Sequence, residues 1–155
     1  MERSQIIQTL SGSEFFLGFD EQDIDEIADI CEARTVDTGA CLFQQGDLGE
    51  ELFIVAEGKV HLERGMNMGE RKGKVTIDVL GKGRVLGCWS TLLEKPHVLM
   101  STAVCQRPSL VLAMKGIHLR ALMTRNRELG FNVLERLCLL LRDRIQAAYG
   151  ALDKI

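Results

Sequence analysis

The 155-residue sequence is short of the features that mark membrane, exported or metal-dependent proteins. No apolar run approaches the roughly 18 residues that a membrane-crossing helix requires. The opening Met1-Glu2-Arg3-Ser4 lacks the basic-then-apolar layout of an export signal. The chain therefore reads as cytoplasmic, with no membrane partner. Its five cysteines, Cys31, Cys41, Cys88, Cys105 and Cys138, are odd in number, widely spaced and never in a C-x-x-C pair. That spacing argues against a zinc site, an iron–sulfur cluster or a disulfide framework. The thiols read instead as reduced, mostly buried small hydrophobes. His61, His97 and His118 stand apart from one another, so no metal or haem site is expected. There is no nucleophile–base pair, ligand cluster or Walker-type loop, so the chain is expected not to be an enzyme and to need no cofactor. Aromatics make up only 5% of the residues. The bases are scattered rather than interleaved with aromatics, which disfavours a nucleic-acid surface.

What is present fits one soluble globular domain: 46% hydrophobic and 26% charged residues, with enough chain for a sizeable core. The net charge of −3 conceals an asymmetry. Residues 1–60 carry 14 acids and 3 bases, a net of −11, and residues 61–155 carry 8 acids and 16 bases, a net of +8. Two halves that neutralise each other within one fold account for this.

The pattern divides into three parts, 1–33, 34–115 and 116–155, within a single domain. The first is helical: Asp20 is placed to cap a helix in which Ile24, Ile27, Ala28 and Cys31 recur at helical spacing. The aromatic knot Phe15-Phe16-Leu17-Gly18-Phe19 before it requires a core. From 34 to 115 short strand-like runs alternate with glycines: 52–56, 59–63, 75–80, 99–106 and 109–114, with a turn-rich stretch at 64–74. Such punctuation predicts an antiparallel sandwich or barrel. After Lys115 the sequence predicts a short helix over 116–124 and a long one from about Asn126 to Ala148. On the long helix Phe131, Leu134, Cys138, Leu141, Ile145, Ala148 and Leu152 are spaced as a strict heptad seam. Val133, Leu137 and Leu140 form a second row. One row can face the barrel and the other a second copy, so a homodimer is expected, with Phe131 to Ala148 at its interface.

The glycine positions become informative together. Phe43-Gln44-Gln45-Gly46-Asp47, then Leu52-Phe53-Ile54-Val55 and Gly58, then Leu80-Gly81-Lys82-Gly83-Arg84-Val85-Leu86-Gly87, resemble the cyclic-nucleotide-binding domain of the catabolite-activator (Crp/Fnr) superfamily. The likeness covers roughly residues 14–146. It implies a mainly β fold with flanking helices: an antiparallel β-roll or jelly-roll barrel, N-terminal helices and a long C-terminal dimer helix.

In that superfamily the ligand sits on a segment just after the last glycine, where helix N–H groups cradle the cyclic phosphate. A Glu after the Gly accepts from the ribose, and an Arg about ten residues on pairs with the phosphate. The resemblance places the segment at Gly87, Cys88, Trp89, Ser90 and Thr91, continuing to Val98, Leu99 and Met100. The Glu slot holds Cys88, and the Arg slot falls on Val98 or Leu99. A charge-assisted hydrogen bond contributes about 1.5–3 kcal/mol, so losing both anchors removes about 3–6 kcal/mol, or about two to four decades of affinity. Lys95, His97 and Arg107 are the cations to watch as substitutes. Trp89 is either a wall for another planar effector, a plug, or packing, and Cys88 could be a low-pKa thiol at the predicted helix start.

Transcription factors of the superfamily continue past the long helix into a winged helix-turn-helix of about 70 residues. The sequence ends at Ile155, so direct DNA binding is not expected. The resemblance thus implies a non-catalytic regulatory or sensor domain that binds ordinary cyclic AMP or GMP weakly and signals through its dimer helix to a protein partner. The alternatives are a receptor for a cyclic nucleotide or another small effector in an altered pocket, and a closed interaction module.

Overall fold

A computed structural model describes residues 1–87 and 97–155. Two helices lead, α1 (Arg3–Ser11) and α2 (Glu21–Ala28). Among the described residues ten strands follow: β1 (Cys31–Val36), β2 (Cys41–Phe43), β3 (Leu48–Gly49), β4 (Glu51–Glu57), β5 (Val60–Met68), β6 (Arg71–Leu80), β7 (Val85–Gly87), β8 (His97–Val98), β9 (Thr102–Cys105) and β10 (Ser109–Lys115). The helices α3 (Gly116–Arg125) and α4 (Arg127–Leu152) close the chain.

The strands form two four-stranded antiparallel sheets, β1-β10-β4-β7 and β2-β9-β5-β6, and the small pair β3-β8. Among the described residues this is an open roll of facing sheets rather than a closed barrel. The apolar run Leu52-Phe53-Ile54-Val55-Ala56 explains why β4 lies in the middle. It is buried on both faces, so it reads as continuous rather than alternating. Phe53 and Val55 join Val60, Leu62, Leu80 and Val111 in a core between the sheets. Leu52 and Ile54 face the other way and pack with the helices, alongside Phe15, Phe16, Ile24, Ile27, Leu119, Leu129, Val133 and Leu137. The aromatic knot fills that second core, with Phe16 edge-on to Phe15 and Phe19 at ring-centroid distances of 5.1 and 5.4 Å.

Three local expectations change. Asp20 does occupy the N-cap of α2, but its side chain makes no capping hydrogen bond. Cys31 does not continue the row of α2; it opens β1, paired with Met114. The stretch 64–74 is not a loop but the continuation of a long hairpin, with Gly65 opposite Lys74 and Met66 opposite Gly73. Its glycines read as breaks, yet only Gly69 makes the turn, with φ of +78°. The other two are carried by ladder bonds on both sides.

Ion pairs join the acidic first half to the basic second half. Arg84 pairs with Glu14 and Arg125 with Glu26, while Asn126 donates to Asp23 and caps α4 by accepting from the Leu129 N–H. No described helix is long and apolar enough to cross a membrane.

Candidate functional site

Gly87 ends β7 opposite Leu52 of β4. It has φ of +125°, and a Cβ there would stand 2.5 Å from the Glu51 carbonyl oxygen and 2.9 Å from the Leu52 Cα. Only glycine permits so close an approach in that backbone conformation. The neighbouring acid, Glu51, is gripped by both arms of Arg34, Nη1 to Oε1 at 2.9 Å and Nη2 to Oε2 at 2.7 Å. The predicted site residues Cys88, Trp89, Ser90 and Thr91, with Lys95, lie outside the described residues.

The segment's far end is also fixed. His97 and Val98 pair with Gly49 and Leu48. The Leu99 N–H donates to the Asp47 carbonyl at 2.9 Å, and the Gly46 N–H donates to the Leu99 carbonyl at 2.9 Å. The Gly46-Asp47 turn therefore clamps the strand that returns from the segment. Of the two residues expected in the Arg slot, Leu99 is buried at 6% exposure and Val98 is exposed at 52%. Met100 is exposed as well. Arg107 stands in the β9–β10 turn, whose neighbour Gln106 donates to the Lys59 carbonyl, at the opposite end of β4 from Gly87.

One cation that sequence reasoning passed over does reach this end of the roll. Arg64 of β5 donates from Nη1 to the Met100 carbonyl at 2.6 Å. Nothing in its local pattern distinguished it, because the approach comes from pairing across β5 and the Gln45 turn. There Gly65 N–H donates to Gln45 Oε1, and Gln45 N–H donates to Thr102 Oγ1.

A second missed feature lies on the other side of β7. Glu14, Asp78, Arg84 and Arg144 form a half-buried ionic cluster. Arg84 donates from Nε to Glu14 Oε2 at 3.0 Å and from Nη2 to Asp78 Oδ2 at 3.3 Å. Arg144 donates from Nη1 to Asp78 Oδ2 at 2.9 Å and from Nη2 to the Val85 carbonyl at 2.7 Å. Burial lowers the pKa of the Arg144 guanidinium, against the pull of Asp78. It stays protonated nonetheless, as arginine does in proteins.

The four described thiols separate into two kinds. Cys31 donates to the Ile27 carbonyl, and burial pushes its pKa to about 12. Burial also raises that of Cys105, whereas Cys41 and Cys138 are exposed. The histidines fall on β5, β8 and α3. Helix α4 uses its two rows differently. Leu129, Val133 and Leu137 are buried in the helix-side core, with Leu140 partly buried against it. Of the predicted seam, Phe131, Leu134, Cys138, Ile145 and Leu152 face solvent, Leu141 also packs on the chain's own core, and Ala148 is half-buried.

A roll with helices at both ends, glycine-cornered and sending a helix back past its own sheet, is the architecture of a regulatory ligand-binding domain. The chain belongs to the cyclic nucleotide-binding domain family, whose sequence profile matches residues 33–126. It is 34% identical over 95 residues to the cyclic AMP receptor protein of Thermus thermophilus, spanning 61% of this chain and 43% of that one. It spans less than half the length of the curated relatives it matches. The solved catabolite activator protein of the same bacterium superposes with a TM-score of 0.72 at 31% identity, covering 91% of this chain and 62% of that chain. A cyclic nucleotide-binding domain from Methylobacillus flagellatus shares the fold at a TM-score of 0.79 and 22% identity, over 99% of this chain and 84% of that one.

Proposed function

We propose that this chain is a non-catalytic sensor domain whose site has lost the anchors for an ordinary cyclic nucleotide, and that it signals through an α4-mediated homodimer to a protein partner. The carrying observation is the Arg slot, where the strand returning from the segment offers a buried Leu99 and an exposed Val98. An aliphatic side chain supplies no charge to a phosphate, and Cys88 supplies no carboxylate to a ribose. Glu51 is no substitute acid, because Arg34 already occupies both of its oxygens. The dimer reading draws on the exposed row Phe131, Leu134, Cys138 and Ile145, which leaves a contiguous apolar stripe beside the buried one.

Titration with cyclic AMP and cyclic GMP to millimolar concentration, followed by the fluorescence of Trp89, tests the site. Trp89 is the sole tryptophan, so the signal is local. No saturable response is expected below about 100 μM, given the two to four decades lost with the anchors. Saturation at low micromolar concentration would refute the reading. A second reading, a receptor for another anionic effector, is favoured by Arg64, which carries a cation to the Met100 end of the segment. Mass spectrometry of small molecules released from the purified protein separates that receptor from a closed module.

A further inference from the structure

We propose that Arg144 is the positioning residue through which strand β7 holds the last turns of α4, so that moving β7 either carries them along or releases them. This rests on the sensor reading, for which it supplies the route from the segment after Gly87 to the exit helix.

Val85 lies two residues before Gly87 on β7. Among the described residues β7 is an edge strand of its sheet, and the outward peptide groups of Val85 meet no described strand. Both are taken by side chains instead. The Val85 N–H donates to Glu14 Oε1 at 2.7 Å, and the Val85 carbonyl accepts from Arg144 Nη2 at 2.7 Å. Arg144 spans onward to Asp78, and Arg84 ties Asp78 back to Glu14, which closes the ring. The Arg144 side chain is only 18% exposed. A guanidinium in such a site does not readily lose an acceptor, because water cannot fully replace it. A shift of the Val85 carbonyl therefore leaves two outcomes: the helix follows the strand, or the helix lets go.

Among the described residues the other α4 cations are placed elsewhere. Arg127 is the first residue of the helix, Arg136 binds the Leu17 carbonyl, and Arg142 pairs with its exposed neighbour Asp143.

The test uses no ligand. Glu14→Ala frees the Val85 N–H by changing a residue outside α4, and backbone hydrogen exchange by mass spectrometry reads 85–87, 144–152 and the remote strands β1 and β10. The expected result is a rise of about tenfold or more in both 85–87 and 144–152, the scale of one charge-assisted bond. In an Arg144→Leu background the same Glu14→Ala change is expected to loosen 85–87 alone. Exchange at 144–152 that ignores Glu14→Ala, or that responds equally without Arg144, overturns the proposal. So does uniform loosening that includes β1 and β10, since that reports global stability alone. If Arg144→Leu does not fold, Arg144→Lys takes its place. It keeps the charge but not the fork, and the transmitted effect is expected to fall severalfold. A failed nucleotide titration leaves this result standing, and a successful one does not rescue it.

Discussion

Replacing Gly87 by alanine tests whether the corner of β7 is as tight as its geometry requires. Two costs add. At φ of +125° an L-residue is strained, by about 1–2 kcal/mol. The new methyl must also clear the Glu51 carbonyl and the Leu52 Cα, and such overpacking costs about 1–3 kcal/mol more. The total of about 2–5 kcal/mol is a large share of the roughly 5–15 kcal/mol that holds a domain of this kind folded. Gly46→Ala is the internal control. Its φ of +91° incurs the conformational cost, but no atom lies within 4 Å of the added carbon, so about 1–2 kcal/mol is expected. Urea unfolding followed by circular dichroism at matched protein concentration measures both, with equal slopes confirming a common transition. If Gly87→Ala falls within about 0.5 kcal/mol of Gly46→Ala, the close approach of β7 to β4 contributes nothing and the steric reasoning fails.

Other outcomes follow from the same structure. Phe131→Glu with Ile145→Glu is expected to convert a dimer into a monomer in sedimentation while changing monomer stability by less than about 1 kcal/mol, because both side chains face solvent. Leu137→Ala, on the buried row, is expected to cost about 2–5 kcal/mol in urea unfolding and so marks the other face. At pH 8, a maleimide pulse read by peptide mapping should label Cys41 quickly, and Cys138 quickly only once Phe131→Glu with Ile145→Glu has opened the dimer. It should reach Cys31 far more slowly, since at that pH, far below about 12, its half-buried thiol stays protonated. Gly150→Ala, at an open position in α4, is expected to raise stability by about 0.5–1 kcal/mol.

Much of the fold was legible because its signals are local. The run at 52–56 announced a strand, and the row Val133, Leu137 and Leu140 of the last helix announced a face that packs on the chain's own core. Glycine was legible at the corners Gly46, Gly58, Gly83 and Gly87, whereas Gly39 carried no such signal. At Gly58 the requirement is also steric, because a Cβ would overlap the Ser109 side chain. Gly65 and Gly73 misled because a ladder of pairing on either side outweighs a weak residue in the middle. Cys31 misled because its spacing from Ile27 continues a helical row by coincidence; its thiol still reaches the Ile27 carbonyl, but from the first residue of a strand. The ring of Glu14, Asp78, Arg84 and Arg144 was hidden for a different reason. Its members come from the turn before α2, β6, the turn into β7 and α4, and each alone reads as an ordinary surface charge. Arg64 was hidden in the same way, since only strand pairing brings it to Met100.

The position of α4 has a consequence for solubility. β6 and β7 each form one edge of their sheet, with β2 and β1 at the other edges, and the same helix lies against both. Arg144 occupies the carbonyl of Val85, and Ala151, Lys154 and Ile155 line a groove against residues 75–79 of β6. A version of the chain cut before Arg144 would bare two sets of unpaired backbone groups at once, each a template for adding a foreign strand. Such a truncation is expected to yield fibrils or amorphous aggregate rather than a tidy monomer. The helix that would carry a signal outward thus also shields one edge of each sheet.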